Sequence, residues 1–231
     1  MIWLYAVCDR PELPPPRRRG MAQSPLDAVR AGELLAVISR HVHPPGEPAL
    51  DALWVHERVV ERLMADRAVL PMRFGSRLPD EGAVRDLLEA RQQAFLAALD
   101  RVRGRVELGV RAIRRGNGAA PGDPVAPAPE TASGRDYVLS KVRESHRTEH
   151  AAATLHDPLA ALADAARRQR PRSPDEVLRA SYLVDRGSLP RFRAAVERLQ
   201  RTQPDAAILC TGPWPPYSFV DAVEPRVEES A

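Results

Sequence analysis

The chain has 231 residues, 44% of them apolar, a formal net charge of +3 and two cysteines. That length and composition support a globular fold of two domains without disulfide staples. Cys8 and Cys210 form no CxxC pair, which argues against a zinc knuckle or redox motif and fits buried, reduced thiols. The isoelectric point near 9.2 comes from arginines scattered among almost as many acids. Clusters at Arg17–Arg19, Arg114–Arg115 and Arg167–Arg172 lack interleaved aromatics, so a solvated surface is expected there and no nucleic-acid partner.

The opening IWLYAVC, residues 2–8, reads as a short buried strand that stops before Pro11. It is too short for a signal sequence, and no uncharged run approaches the roughly 18 residues of a membrane span. The expected location is the cytoplasm, with no membrane partner. Residues 33–39 (ELLAVIS) read as a second strand, followed by the loop HVHPPGEP. Asp51 is the expected N-cap of a helix running to about Asp66. Its buried stripe is expected to hold Leu53, Val60, Leu63 and Met64, with Glu57, Glu61, Arg58 and Arg62 on solvated faces.

Residues 68–72 read as an edge strand because of Pro71, and Arg73-Phe74-Gly75 as a turn. A helix is expected over 81–102, buried through Val84, Leu87, Leu88, Phe95, Leu99 and Val102 and ended by Gly104. Residues 105–113 alternate cleanly, with Val106, Leu108, Val110 and Ala112 on one face. The stretch 114–134 is rich in Gly, Pro and Ala and reads as a linker between an N-terminal domain, 1–113, and a C-terminal domain, 135–231. Beyond it the pattern is helical from Tyr137 to about Arg170, with Pro158 as a second start. A strand (177–185), a helix (188–201) and a strand (206–211) follow. The fold class expected is α+β, with small mixed or antiparallel sheets packed against helices.

Candidate chemistry is sparse. His146-Arg147-Thr148-Glu149-His150 has the H-x-x-E-H spacing of some zinc peptidases, but its surroundings are polar and no third ligand is evident. His41 and His43 form an H-x-H pair without an acidic partner nearby in sequence. Gly116-Asn117-Gly118 stands in the linker rather than between a strand and a helix, and there is no nucleophile elbow. No catalytic residue, metal or cofactor is assigned.

The most informative segment is TGPWPPYSFV, residues 211–220. Three prolines stiffen it and three aromatics fall within six positions, so it reads as an extended arm. The arm either packs back on its own core or presents an anchor to a partner.

Ordered segments of the chain resemble the gas vesicle accessory family GvpL/GvpF. They are IWLYAVC, ELLAVIS, HERVV followed by VLPMRFG, GRVELGVR, SYLVDR and TGPWPPYSFV. The resemblance implies a non-enzymatic role in gas vesicle assembly, located in the cytoplasm and at the vesicle. The implied partners are the hydrophobic shell protein, kept from aggregating or nucleated into a shell, and other accessory proteins. It also implies two α+β domains, one of them ferredoxin-like. A partner surface including Met72, Arg73, Phe74, Trp214, Tyr217 and Phe219 is expected, because these residues gather at proline- and glycine-bearing element ends. A ferredoxin-like regulatory or nucleic-acid-binding module is the other class that the basic isoelectric point and α+β pattern allow.

Overall fold

The computed structural model describes residues 1–9, 19–42, 50–115 and 134–220. By contacts the chain divides into two units, Met1–Glu107 with the residues from Pro213 onward, and Leu108–Gly212. The C-terminal arm thus groups with the N-terminal half of the chain, whereas the sequence boundary at 114–134 sets it with the second half. Of that expected linker, residues 116–133 lie outside the described residues.

The first unit is built on β1, Ile2–Cys8, every residue of which is buried. An unbroken apolar run with no solvent face suits the interior of a sheet covered on both sides. β2 (Leu26–Ala31) and β3 (Leu34–Arg40) form a hairpin, and β3 pairs antiparallel with β1. Gly32, at φ +55°, turns this hairpin at the first loop position. The sequence signal for β2 is weak, because Asp27 and Arg30 dilute its apolar residues. Pairing along β3 from Leu26↔Ser39 to Ala31↔Leu34 makes it a strand.

α1, Leu50–Met64, buries His56, Val59, Val60, Leu63 and Met64. Asp51 lies within its first turn rather than capping it. There its carboxylate still faces the positive end of the helix dipole. Leu53, expected on the buried stripe, is 36% exposed. β4 (Leu70–Pro71) pairs with β1 at the edge, which leaves the proline's missing donor harmless. β5, Arg77–Leu78, also pairs with β1 after a turn at Gly75, whose φ of +93° favours glycine.

The helix expected over 81–102 is two helices, α2 (Glu81–Ala90) and α3 (Gln92–Val102). Arg91 leaves helical geometry between them at φ −121°, ψ 19°. Asp80 caps α2 by accepting from Ala83 N at 2.9 Å. Val84, Leu88, Phe95, Leu99 and Val102 reach one core together with Leu4, Leu70 and Met72. Gly104, at φ +71°, then leads into β6, Arg105–Arg114.

The second unit adds α4 (Gly134–Ala160), β7 (Ala165–Arg168), β8 (Glu176–Asp185), α5 (Leu189–Thr202) and β9 (Ala206–Trp214). With β6 leading, the order along the chain is β-α-β-β-α-β and the order in the sheet is β7-β8-β6-β9. Placing β8 between β6 and β7 is the split β-α-β arrangement of ferredoxin-like folds. Leu155 and Leu159 of α4 and Phe192, Ala195 and Val196 of α5 pack on Leu108, Val110, Tyr182 and Val184 of the strands. The helical pattern expected to reach Arg170 ends at Ala160, two residues after Pro158, which sits inside α4 instead of starting a new helix. Residues 165–168, although rich in helix formers, are a strand because they pair with β8 from Ala165↔Leu183 to Arg168↔Ala180.

Glu176 is almost fully buried at the start of β8. Its carboxylate accepts from Arg111 Nε at 2.7 Å, Arg179 Nε at 3.1 Å and Arg172 N at 2.6 Å. Burial alone would raise its pKa. The Arg172 amide and the two guanidiniums outweigh that and hold it near 2. A depressed carboxylate stabilises the fold above its ordinary range and loses that contribution as pH falls through the folded value. Changing Glu176 to Gln is expected to cost about 3 kcal/mol in denaturant unfolding at pH 7, by leaving two guanidiniums unpaired. The gap between variant and parent should close as the pH is lowered from 4.5 toward 2.

Candidate partner-binding site

The six residues expected at a partner surface fall into four settings. Met72 and Phe219 are buried, with Met72 fully inside the core of the first unit, so neither offers a face to a partner. Phe74 is half buried, packed edge-on to Trp3 at 5.2 Å and to His56 at 5.8 Å. Arg73 is exposed. Trp214 and Tyr217 line a cleft.

His56 organises the buried side of α1. One ring nitrogen, Nδ1, accepts from Trp3 Nε1 at 3.1 Å, and the other, Nε2, donates to the Met72 carbonyl at 2.9 Å. The indole can only donate and the carbonyl can only accept, so the imidazole is held neutral with its proton on Nε2. Tyr5 stacks on the ring at 5.2 Å. The Tyr5 hydroxyl accepts from Met21 N at 2.6 Å and meets Ser39 Oγ at 2.8 Å, which in turn meets His41 Nε2 at 2.7 Å. A methyl group at Gly20 would collide with that hydroxyl. His41 is thus engaged in this network, and His43 lies outside the described residues, as does Gly116-Asn117-Gly118.

On its outer side α1 leaves Leu50 76%, Leu53 36% and Trp54 57% exposed. Leu53, Trp54 and Glu57 form one wall of a cleft of about 350 Å³, and Trp214, Pro215 and Tyr217 line it with Glu107. All of these residues belong to the first unit. Beyond Trp214, which is 41% exposed, Pro215 and Pro216 are buried and residues 217–219 form a short 3-10 turn. Val220 joins the core. The arm thus packs back on the core through Phe219 and Val220 and leaves Trp214 exposed.

The anchor is completed by Glu107. Its carboxylate accepts from the Ser218 amide at 2.8 Å and from the Ser218 hydroxyl at 2.6 Å. In the alternation of β6 Glu107 falls on the face opposite the apolar residues, yet it is 8% exposed. Glu57, expected on a solvated face, is half buried beside Tyr217. Sequence reasoning missed Trp54 altogether. One signal was available: an indole on α1 one position away from the apolar stripe, in a chain with three tryptophans.

The H-x-x-E-H string takes a different role. Glu149 is bound by Arg168 through two bonds of 2.6 and 2.9 Å, and His150 faces Thr154. Among the described residues no cluster of three His, Cys, Asp or Glu could hold a metal ion. Several arginines are likewise matched with acids, Arg40 with Asp27 and Glu81 and Arg103 with Asp9 and Asp100. No helix among the described residues is long and apolar enough to cross a membrane.

The family model described as Gas vesicle synthesis protein GvpL/GvpF matches residues 1–221. Gas vesicle protein L of a Streptomyces species is 32% identical, over 94% of this chain and 87% of that protein. Gas vesicle protein F2 of Halobacterium salinarum is 29% identical, over 81% of this chain and 76% of its own length. Among solved structures, GvpF from Anabaena sp. PCC7120 superposes with a TM-score of 0.81 over 95% of both chains at 20% identity. GvpF from Microcystis aeruginosa does so with a TM-score of 0.78 over 95% of this chain and 98% of that one, at 18% identity. These two likenesses show the fold.

Burial pushes the His56 pKa down to about 4 from an ordinary 6.5, with the Met72 hydrogen bond pulling weakly the other way. The unfolded chain thus binds a proton that the folded chain refuses between those values, and stability falls as pH drops through that window. The His56 contribution is expected to fall by about 3 kcal/mol from pH 6.5 to 4. Denaturant titrations of the parent and of His56→Gln should show a shallower pH slope in the variant. Phe219→Ala is expected to cost about 3 kcal/mol in the same assay, and Trp54→Ala less than about 0.5 kcal/mol.

Proposed function

The chain belongs to the gas vesicle GvpL/GvpF family, and from that premise we propose that it acts in vesicle assembly by binding the hydrophobic shell protein. Binding keeps the shell subunit from aggregating before incorporation, or gathers subunits into a nucleus, with other accessory proteins as further partners. The work is recognition rather than catalysis, and it takes place in the cytoplasm at the growing vesicle.

The observation that carries this reading is the apolar cleft of the first unit. Two of the chain's three tryptophans stand exposed on its walls, with Leu50 and Leu53 continuing the apolar surface along α1. Exposed indoles and leucines held on a helix and on a proline-stiffened arm lose little conformational entropy on binding. Tryptophan is also the residue type most enriched among interface anchors. A subunit whose gas-facing side must be apolar would find in this cleft a cover for part of that side.

Co-expression of the tagged chain with the small shell protein, followed by affinity purification, tests the proposal. Soluble co-elution with less shell-protein aggregate is the expected result. A clean chain beside precipitated shell protein would contradict it. Trp54→Ala and Trp214→Ala are each expected to lower the amount of shell protein recovered, with the melting temperature within about 2 °C of the parent.

A further inference from the structure

Two carboxylates stand in the apolar cleft, and they are occupied differently. Glu107 has both a backbone N–H and a hydroxyl from Ser218. Among the described residues Glu57 has only the neighbouring Tyr217 phenol, and the buried Tyr217 hydroxyl meets no acceptor with hydrogen-bond geometry. The next charge bearing on Glu57 is a second acid, Glu61, one turn along α1. Among the described residues no basic side chain lines the cleft. Burial raises the Glu57 pKa, the Glu61 charge adds to this, and the Tyr217 contact opposes it.

This arrangement discriminates among occupants. A purely apolar segment seated over Glu57 would strip water from a carboxylate and offer nothing in return. An anionic segment would meet Glu57 and Glu61 with like charge. A segment with one cation among apolar residues satisfies every part of the lining. Its charge pairs with Glu57, the exposed indoles accept a cation on their faces, and Leu53 and Pro215 cover the hydrocarbon stem.

Resting on the reading of the cleft as the shell-protein site, we propose that it receives an apolar segment bearing a single arginine or lysine, whose cation settles on Glu57 beside Trp54 and Trp214. The partner is thus recognised by charge within an apolar surface, and apolarity alone does not suffice.

The test uses the full chain and two synthetic amphipathic peptides. One has a leucine-rich face with a single central arginine, and in the other norleucine replaces that arginine. Tryptophan fluorescence titration is expected to show the arginine peptide binding about tenfold more tightly. The preference should vanish in Glu57→Gln, a variant of unchanged shape whose melting temperature is checked alongside. Trp54→Ala, at an exposed helix position, should weaken both peptides. Equal binding of the two peptides, binding of neither, or a preference that survives Glu57→Gln would overturn the proposal. So would a self-associated chain in sedimentation that Trp54→Ala dissociates, since the cleft would then belong to a second copy. Shell-protein co-purification with the unaltered chain is measured in parallel. If it fails, the functional reading falls. If it succeeds while peptide selectivity is absent, only the cation inference falls.

Discussion

What the first unit can present to a partner depends on how α1 is held, and His56 holds it. Its two ring nitrogens tie the helix to Trp3 in β1 and to the Met72 carbonyl at the exit of β4, in a setting that is fully buried. These bonds use both polar atoms of the imidazole, so the side chain carries no unsatisfied group into the core. The helix is thereby fixed in rotation. With His56 facing inward, Leu53 and Trp54 sit on the outer side of the helix. The same constraint turns Met72 and Phe74 toward the helix: one supplies the carbonyl and core packing, the other the ring edge that flanks the imidazole.

The opposite wall of the cleft depends on a second buried polar contact. Glu107 binds Ser218 twice and so sets the arm in place, while Phe219 and Val220 supply the apolar anchor. Proline at 213, 215 and 216 limits the conformations the arm loses on docking. Rigid walls would favour any association at a cleft of this size, because each side chain that must be ordered on association subtracts from affinity. In the second unit Glu176 has a comparable part, joining β8 to Arg111 of β6 and to the loop at Arg172. Among the described residues, acids thus pair with several of the arginines, Arg40, Arg103, Arg111, Arg168 and Arg179 among them.

The sequence was most legible where periodicity and burial coincide. β1 is an unbroken apolar run, β6 alternates, and Val84 through Val102 keeps a single helical stripe across the break at Arg91. It was least legible where pairing overrides local preference. β2 carries Asp27 and Arg30 and becomes a strand through β3, and β7 is Ala-Ala-Arg-Arg paired along β8. At the cleft the difficulty was one of direction. Leu53 fits an apolar stripe by spacing, but the position of His56 in the core turns it outward. Composition could mark the 211–220 segment as unusual. That Trp214 is exposed while Phe219 is buried goes with a contact no local pattern shows, the Glu107–Ser218 bond between residues 111 apart.

The account rests on the cleft being the place where shell protein is held. The direct measurement is site-specific photo-crosslinking in cells that assemble vesicles, with the reactive residue placed at position 54 and, as a control, at exposed position 201 on α5. The account predicts a covalent adduct with the shell protein from position 54 and none from position 201. Adducts from position 201 alone, or from neither while vesicles form normally, would contradict it.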